Sequence, residues 1–211
     1  MDKVVVQSFV SLLLVGDRLG CSKMVKQYVQ ESFSIKEVYE KLIKSALYEI
    51  GILWEQNKIS VADEHLATSI SEAILNELYT DVVSEYRENK QVVLACVDGE
   101  THQVGLKMVA DVFEMNGWDA KYLGSSVPAS ELIKIIDKFQ PEIVGISFSI
   151  YFHFDTLKKM VYSIRQDFPN KKILIGGQGF LHGGIEELVG KDANIVYCPT
   201  LDSLDEYIKS L

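Results

Sequence analysis

The sequence predicts an α/β protein in two parts, a four-helix bundle over residues 1–88 and a five-stranded parallel sheet over 89–211. Three observations carry that reading. Residues 1–88 contain no Pro, and their Gly residues (16, 20 and 51) stand near apparent helix ends. After the polar run SEYRENKQ the hydrophobic period changes. From there short β-rich runs alternate with amphipathic helical stretches, the pattern of β/α units whose parallel strands are covered on both faces.

In the first part the helices are expected over 3–19, 22–32, 35–53 and 61–86. Ser34 and Glu37 make a capping box for the third, and Ser60 can cap the fourth. Val38, Leu42, Ala46, Ile50 and Leu53 follow helical spacing, so one face of the third helix is apolar and needs partners. A four-helix bundle supplies them. In the second part the expected strands are VVLACV, AKYLG, EIVGISFSI, KKILIGG and NIVYC, with helices between them and after the last. Right-handed crossovers then give a flavodoxin- or Rossmann-like sheet.

Composition narrows the function. A net charge of -9 and a pI near 5.0 argue against direct nucleic-acid contact, because such binding draws on clustered Lys and Arg. Cys21, Cys96 and Cys198 are odd in number and lack metal-type spacing, which points to reduced thiols and the cytoplasm. The apolar stretch near the start is far shorter than the roughly 20 residues a spanning helix needs. It reads as a core-packed helix, with no membrane segment expected.

Ligands of such sheets bind beyond the carboxyl ends of the strands where strand order reverses, between the first and third strands in the flavodoxin-like order. DGETHQVG follows the first of these and SFSIYFHF the third. His102 admits three readings. It is a helix-start residue bonded to backbone; or part of a metal cluster with Cys96, Asp98 and Glu100, whose spacing cannot close a tetrahedron; or an axial ligand to a cofactor metal, with Glu100 holding its other ring nitrogen. Gly105, one turn into a helix, costs roughly 1 kcal/mol against Ala and makes sense where something bulky lies against the backbone. Ser147 and Ser149 read as small-residue packing or as ligand contacts. Gly176 and Gly177 read as a turn or as a cleared channel.

Taken in order, Glu100-Thr-His102-Gln-Val-Gly105, Ser147-Phe-Ser149 and Gly176-Gly177, with 41 and 26 residues between the elements, resemble the signature of cobalamin-binding proteins of the methionine synthase type. The departure is Glu in place of Asp at position 100, which keeps the acceptor and adds a methylene. The resemblance implies a base-off, His-on corrinoid held between a helical cap and the sheet. His102 replaces the cofactor's own base on cobalt, Ser147 bonds the buried base, and Gly105, Gly176 and Gly177 leave room for the nucleotide tail.

Within the bundle, Trp54, nine residues, then Glu64-His65 resembles the cap pattern of cobalamin photoreceptors of the CarH and AerR type. As an ordinary bundle these would be a core aromatic and a solvated pair in a first helical turn. The resemblance places Trp54 over the upper ligand and Glu64 and His65 against an adenosyl group. It implies a cobalamin-binding sensory or regulatory protein holding adenosylcobalamin. The alternative is a corrinoid methyl carrier holding methylcobalamin, with chemistry supplied by cobalt and partner enzymes. DNA-binding members carry a winged-helix module ahead of the bundle, and none is read in these 211 residues. Output is therefore expected through a protein partner, a regulator or a methyltransferase, or through homo-oligomerisation. Some photoreceptors follow the Trp with a His that captures cobalt; here that position is Glu55, so bis-histidine locking there is not expected. His153 reads as packing and His182 as a solvated or capping residue, and no nucleophile–base pair or phosphate loop is read, so no catalytic residue is assigned.

Overall fold

The computed structural model describes residues 2–31 and 33–211, and the chain divides into two compact units between Val82 and Val83. In the first, α1 (Lys3–Leu14) starts where Asp2 accepts the Val4 N–H at 3.3 Å, and buries Val6, Phe9, Val10 and Leu13 at helical spacing. It stops five residues short of its expected end because Gly16 turns the chain with φ +72°. The Asp17 carboxylate, accepting the Gly20 N–H at 2.8 Å, then caps α2 (Arg18–Gln30). The expected end of that helix at residue 32 lies outside the described residues.

The capping box at Ser34 and Glu37 starts α3 (Ile35–Val38) as the sequence predicts. The helix then widens into a π turn over Tyr39–Ile43 before continuing as α4 (Lys44–Glu55). The extra residue per turn lets Tyr39, Leu42 and Ile43 all be fully buried. α5 (Val61–Val82) begins with a reciprocal cap, the Ser60 hydroxyl accepting the Asp63 N–H at 3.2 Å and the Asp63 carboxylate the Ser60 N–H at 2.8 Å. It ends four residues before the expected 86.

The second unit holds the predicted five-stranded parallel sheet. Its strands are β1 (Gln91–Cys96), β2 (Asp119–Gly124), β3 (Ile143–Ser147), β4 (Lys172–Gly176) and β5 (Ile195–Tyr197), in spatial order β2-β1-β3-β4-β5. Helix α6 (Val104–Met115) crosses from β1 to β2, α7 (Ala129–Phe139) from β2 to β3, and α8 (Phe154–Asp167) from β3 to β4. The short α9 (Ile185–Leu188) precedes β5, and α10 (Leu201–Lys209) closes the chain. Because the β1-to-β2 crossover runs the opposite way along the sheet from the others, right-handedness puts α6 on one face, beside α10, and α7 and α8 on the other. Alternate residues fill the two sides: Val93, Ala95, Val144, Ile146, Ile173 and Ile175 enter one core, while Val92, Leu94, Ile143 and Leu174 are buried on the other. Among the described residues no helix is long and apolar enough to cross a membrane.

The reversal of strand order falls between β1 and β3. In register across the sheet, Cys96 pairs with Ser147 and Ser147 with Gly176, so the last residues of β1, β3 and β4 form one row at the carboxyl edge. Every loop the sequence analysis singled out leaves from that row.

Candidate functional site

The loop from Val97 to Gln103 turns sharply, the Glu100 N–H donating to the Val97 carbonyl at 3.0 Å. That turn drives the Glu100 side chain inward, where it is fully buried. One carboxylate oxygen, Oε1, accepts the His102 N–H at 2.9 Å and lies 2.5 Å from His102 Nδ1. The other, Oε2, accepts the Ser149 N–H at 2.7 Å and the Ile150 N–H at 3.0 Å. Four donors match the acceptor capacity of a carboxylate, which is what a buried charge requires. Burial pushes this carboxyl upward, but donation from the His102 ring and from the three backbone N–H groups outweighs it and holds the group at about 2.

An ionised Glu100 orients the imidazole. With Nδ1 turned to this acceptor at 2.5 Å, Nε2 is the ring nitrogen left to take a metal. The His102 side chain is 41% exposed at the mouth of the strand row, and the Cys96 thiol contacts its carbonyl at 3.7 Å. Among the described residues no group of three or more His, Cys, Asp and Glu is placed to hold a metal ion. A metal on His102 would therefore bring its remaining ligands with it, as the corrin ring of the corrinoid implied by the sequence resemblance does.

The small residues test that fit. Gly105 lies on an exposed face of the first turn of α6, and a Cβ built there, or on Gly176 at the end of β4, would meet no atom within 4 Å. Beside both backbones there is open space of the kind a nucleotide tail needs. Gly177 has a different reason to be Gly: its φ is +112° and a Cβ would overlap the Phe148 carbonyl, so the constraint there is the protein's own backbone. Ser147 is buried in the row at 7% exposure, and Ser149 enters the site through its backbone N–H.

Of the remaining sequence candidates, Trp54, Glu64 and His65 belong to the helical unit, and His153 and His182 to loops of the sheet unit. Trp54, near the end of α4, is 44% exposed rather than a core aromatic. In the first turn of α5, Glu64 accepts the Thr68 hydroxyl at 2.8 Å and stands 3.6 Å from His65 Nε2, whose side chain is 73% exposed. His153 closes a 3-10 turn (Tyr151–His153) and covers Gly99, whose added Cβ would meet its ring at 3.2 Å. His182 is exposed at the end of the 3-10 turn Gln178–His182 and meets the Tyr151 ring edge-on at 6.0 Å. Sequence reasoning missed Gln103, Ser125 and Ser126, which bond the His102 loop to the turn after β2. Two adjacent serines ahead of Val-Pro give no periodic or motif signal.

Comparison with known proteins identifies the family. Two family models described as B12 binding domains match the chain, one over residues 90–196 and the other over 5–79. The HTH-type transcriptional repressor CarH of Myxococcus xanthus is 29% identical over 112 residues, which is 53% of this chain and 36% of the relative. The chain thus spans about a third of that repressor's length. Dimethylamine corrinoid protein 1 of Methanosarcina acetivorans is 20% identical over 146 residues, covering 67% of this chain and 68% of that one. The solved Methanosarcina barkeri monomethylamine corrinoid protein superposes over 100% of both chains with a TM-score of 0.83 at 13% identity, a likeness of fold.

Proposed function

The chain belongs to the B12 binding domain family, and we propose that it is a sensory or regulatory protein that holds a corrinoid with His102 as the lower axial ligand of cobalt. The single observation that carries the ligand assignment is the Glu100–His102 contact at 2.5 Å, which fixes the imidazole with Nε2 as its metal-binding nitrogen. Ser147, Gly105 and Gly176 serve the nucleotide tail in this reading: the buried serine hydroxyl bonds its base, and the open backbones admit it. Ser149, through its amide, and Gly177, through its backbone geometry, shape the loops around it. When bound, cobalt supplies the reactive bond to the upper ligand, and the protein supplies the lower ligand, its orientation and the shape of the pocket.

The regulatory reading rests on the similarity to CarH and on Trp54, Glu64 and His65, which we assign to contact with an adenosyl upper ligand. The exposure of Trp54 and His65 on the helical unit supports it. Output then passes to a protein partner or through self-association, without direct nucleic-acid contact, in the cytoplasm. A second reading, a methyl carrier holding methylcobalamin and serving a methyltransferase, is favoured by the similarity to the dimethylamine corrinoid protein over two thirds of the chain.

One experiment separates them. The protein is loaded in the dark with adenosylcobalamin and its absorption recorded before and after green light, with His102→Ala in parallel. A base-off, His-ligated spectrum that needs His102 and changes durably on illumination is expected. Dependence on His102 without a lasting light response would move the assignment to the methyl carrier. Binding unaltered in His102→Ala would remove the lower-ligand assignment.

A further inference from the structure

The turn between β2 and α7 makes hydrogen bonds that its own connection does not require. Ser126 adopts φ +49°, in the left-handed region that side chains with a Cβ occupy at a cost. In that conformation its N–H donates to the Glu100 carbonyl at 2.9 Å. Its hydroxyl oxygen accepts the Gly99 N–H at 3.0 Å and faces Asp98 Oδ1 at 3.3 Å, to which it can donate. The neighbouring Ser125 N–H donates to Gln103 Oε1 at 3.0 Å, and at Gly124, with φ +80°, an added Cβ would press on that same oxygen at 2.8 Å. Two consecutive residues, Ser125 and Ser126, thus hold the His102 loop on both sides of the histidine, at 98–100 and at 103. Local strain that persists because surrounding bonds impose it is a mark of a functional constraint.

We propose that Ser126 is a positioning residue for His102: its hydroxyl and amide clasp the turn that carries the ligand and set it before a corrinoid arrives. The proposal rests on His102 being the lower ligand. Its physical content is preorganisation, since a loop already held in its bound geometry loses less freedom on binding. Glu100 cannot do this alone, because its bonds fix the ring and the β3 loop while leaving the Gly99 and Glu100 peptide groups to be held from the other side.

The test uses the full chain with Ser126→Ala, Ser126→Gly and Ser126→Asn, and hydroxocobalamin as the probe. Ala and Gly both delete the hydroxyl; Gly alone relieves the left-handed backbone; Asn tolerates that backbone and offers an acceptor to Gly99. Three quantities are read: cobalamin affinity by the His-ligated absorption spectrum, hydrogen exchange of the Gly99 amide without cofactor, and Tm. The expected result is about a tenfold loss of affinity and faster Gly99 exchange in both Ala and Gly, the range found when an outer partner of a metal ligand is lost. Asn restores both, and Tm in Ser126→Gly is no lower than in Ser126→Ala. Wild-type affinity in Ser126→Ala and Ser126→Gly, or unchanged Gly99 exchange, would overturn the clasp while a spectrum lost in His102→Ala still upheld the ligand. A spectrum unaffected by His102→Ala would overturn the ligand and the clasp together.

Discussion

The Glu100 carboxylate reaches from the loop after β1 to accept the Ser149 backbone N–H at 2.7 Å, while its other oxygen holds the His102 ring. One side chain therefore joins the ligand loop to the loop after β3. Aspartate at this position, shorter by a methylene, would reach one of these groups at the expense of the other.

That geometry predicts a graded series at position 100. Glu100→Ala removes the acceptor of the Ser149 and Ile150 N–H groups, at about 1 kcal/mol for each bond lost, so the unfolding free energy in urea is expected to fall by about 2 kcal/mol. Glu100→Asp should retain most of the stability but lose about tenfold in corrinoid affinity, read by spectral titration. Wild-type affinity in Glu100→Asp would remove the bridging role.

The two adjacent glycines at the end of β4 should respond in opposite ways. Gly176→Val adds a side chain into open space. The apoprotein is expected to melt within a few degrees of wild type while corrinoid binding falls at least about tenfold, the filled volume being the one a tail needs. Gly177→Ala puts a Cβ against the Phe148 carbonyl at a φ of +112°. Its apoprotein is expected to lose on the order of 2 kcal/mol or more before any ligand is added. Calorimetry of the two apoproteins checks the contrast.

Acid should weaken the second unit through Asp192. Burial pushes this carboxyl up, but the Arg165 guanidinium and the Asn194 N–H outweigh it and hold it below the ordinary aspartate value. A carboxylate lowered on folding contributes stability that is present above its unfolded pKa, near 3.9, and lost as pH falls through its lower folded value. The stability difference between wild type and Asp192→Asn is therefore expected to be about 2 kcal/mol at pH 7 and to shrink below pH 4, followed by urea unfolding across that range.

The thiols should be silent in the folded state. Burial, reinforced by the Glu100 carboxylate, pushes Cys96 up to about 12; burial likewise pushes Cys21 and Cys198 to about 11. At pH 8 a disulfide-exchange reagent is expected to label none of them on the timescale of minutes, because the thiolate is the reacting form. All three should react once the chain is unfolded. Fast labelling of Cys96 in the native protein would show that the β1 end opens.

Much of this was legible in the chain. The sheet announced itself through apolar strands alternating with amphipathic helices, and His102, Ser147 and Gly176 could be placed at strand ends because strand ends follow from that alternation. The bridging reach of Glu100 was not legible, since a carboxylate two residues before a histidine says nothing about amides some 50 residues away. Ser126 was hidden for the same reason: two of its three partners, the Gly99 N–H and the Glu100 carbonyl, are backbone groups, which leave no trace in residue types. The π turn at Tyr39–Ile43 has an ordinary helical composition, and packing rather than propensity selects it. Gly177 was read as a turn or as part of a channel, and its φ of +112° and the Phe148 carbonyl beside it account for a glycine there through the fold's own backbone.

The row formed by Cys96, Ser147 and Gly176 draws its members from positions 80 residues apart. No fragment ending before β4 contains it, and no partly zipped sheet presents it. During folding such a row is completed late, since parallel pairing over long separations must first meet its loop-closure cost. A ligand seated there recognises only the finished fold, so it shifts the equilibrium by mass action toward that state alone. Cofactor supply in the cell would thereby govern how long this protein persists, with chains that never meet a corrinoid turning over faster than those that do.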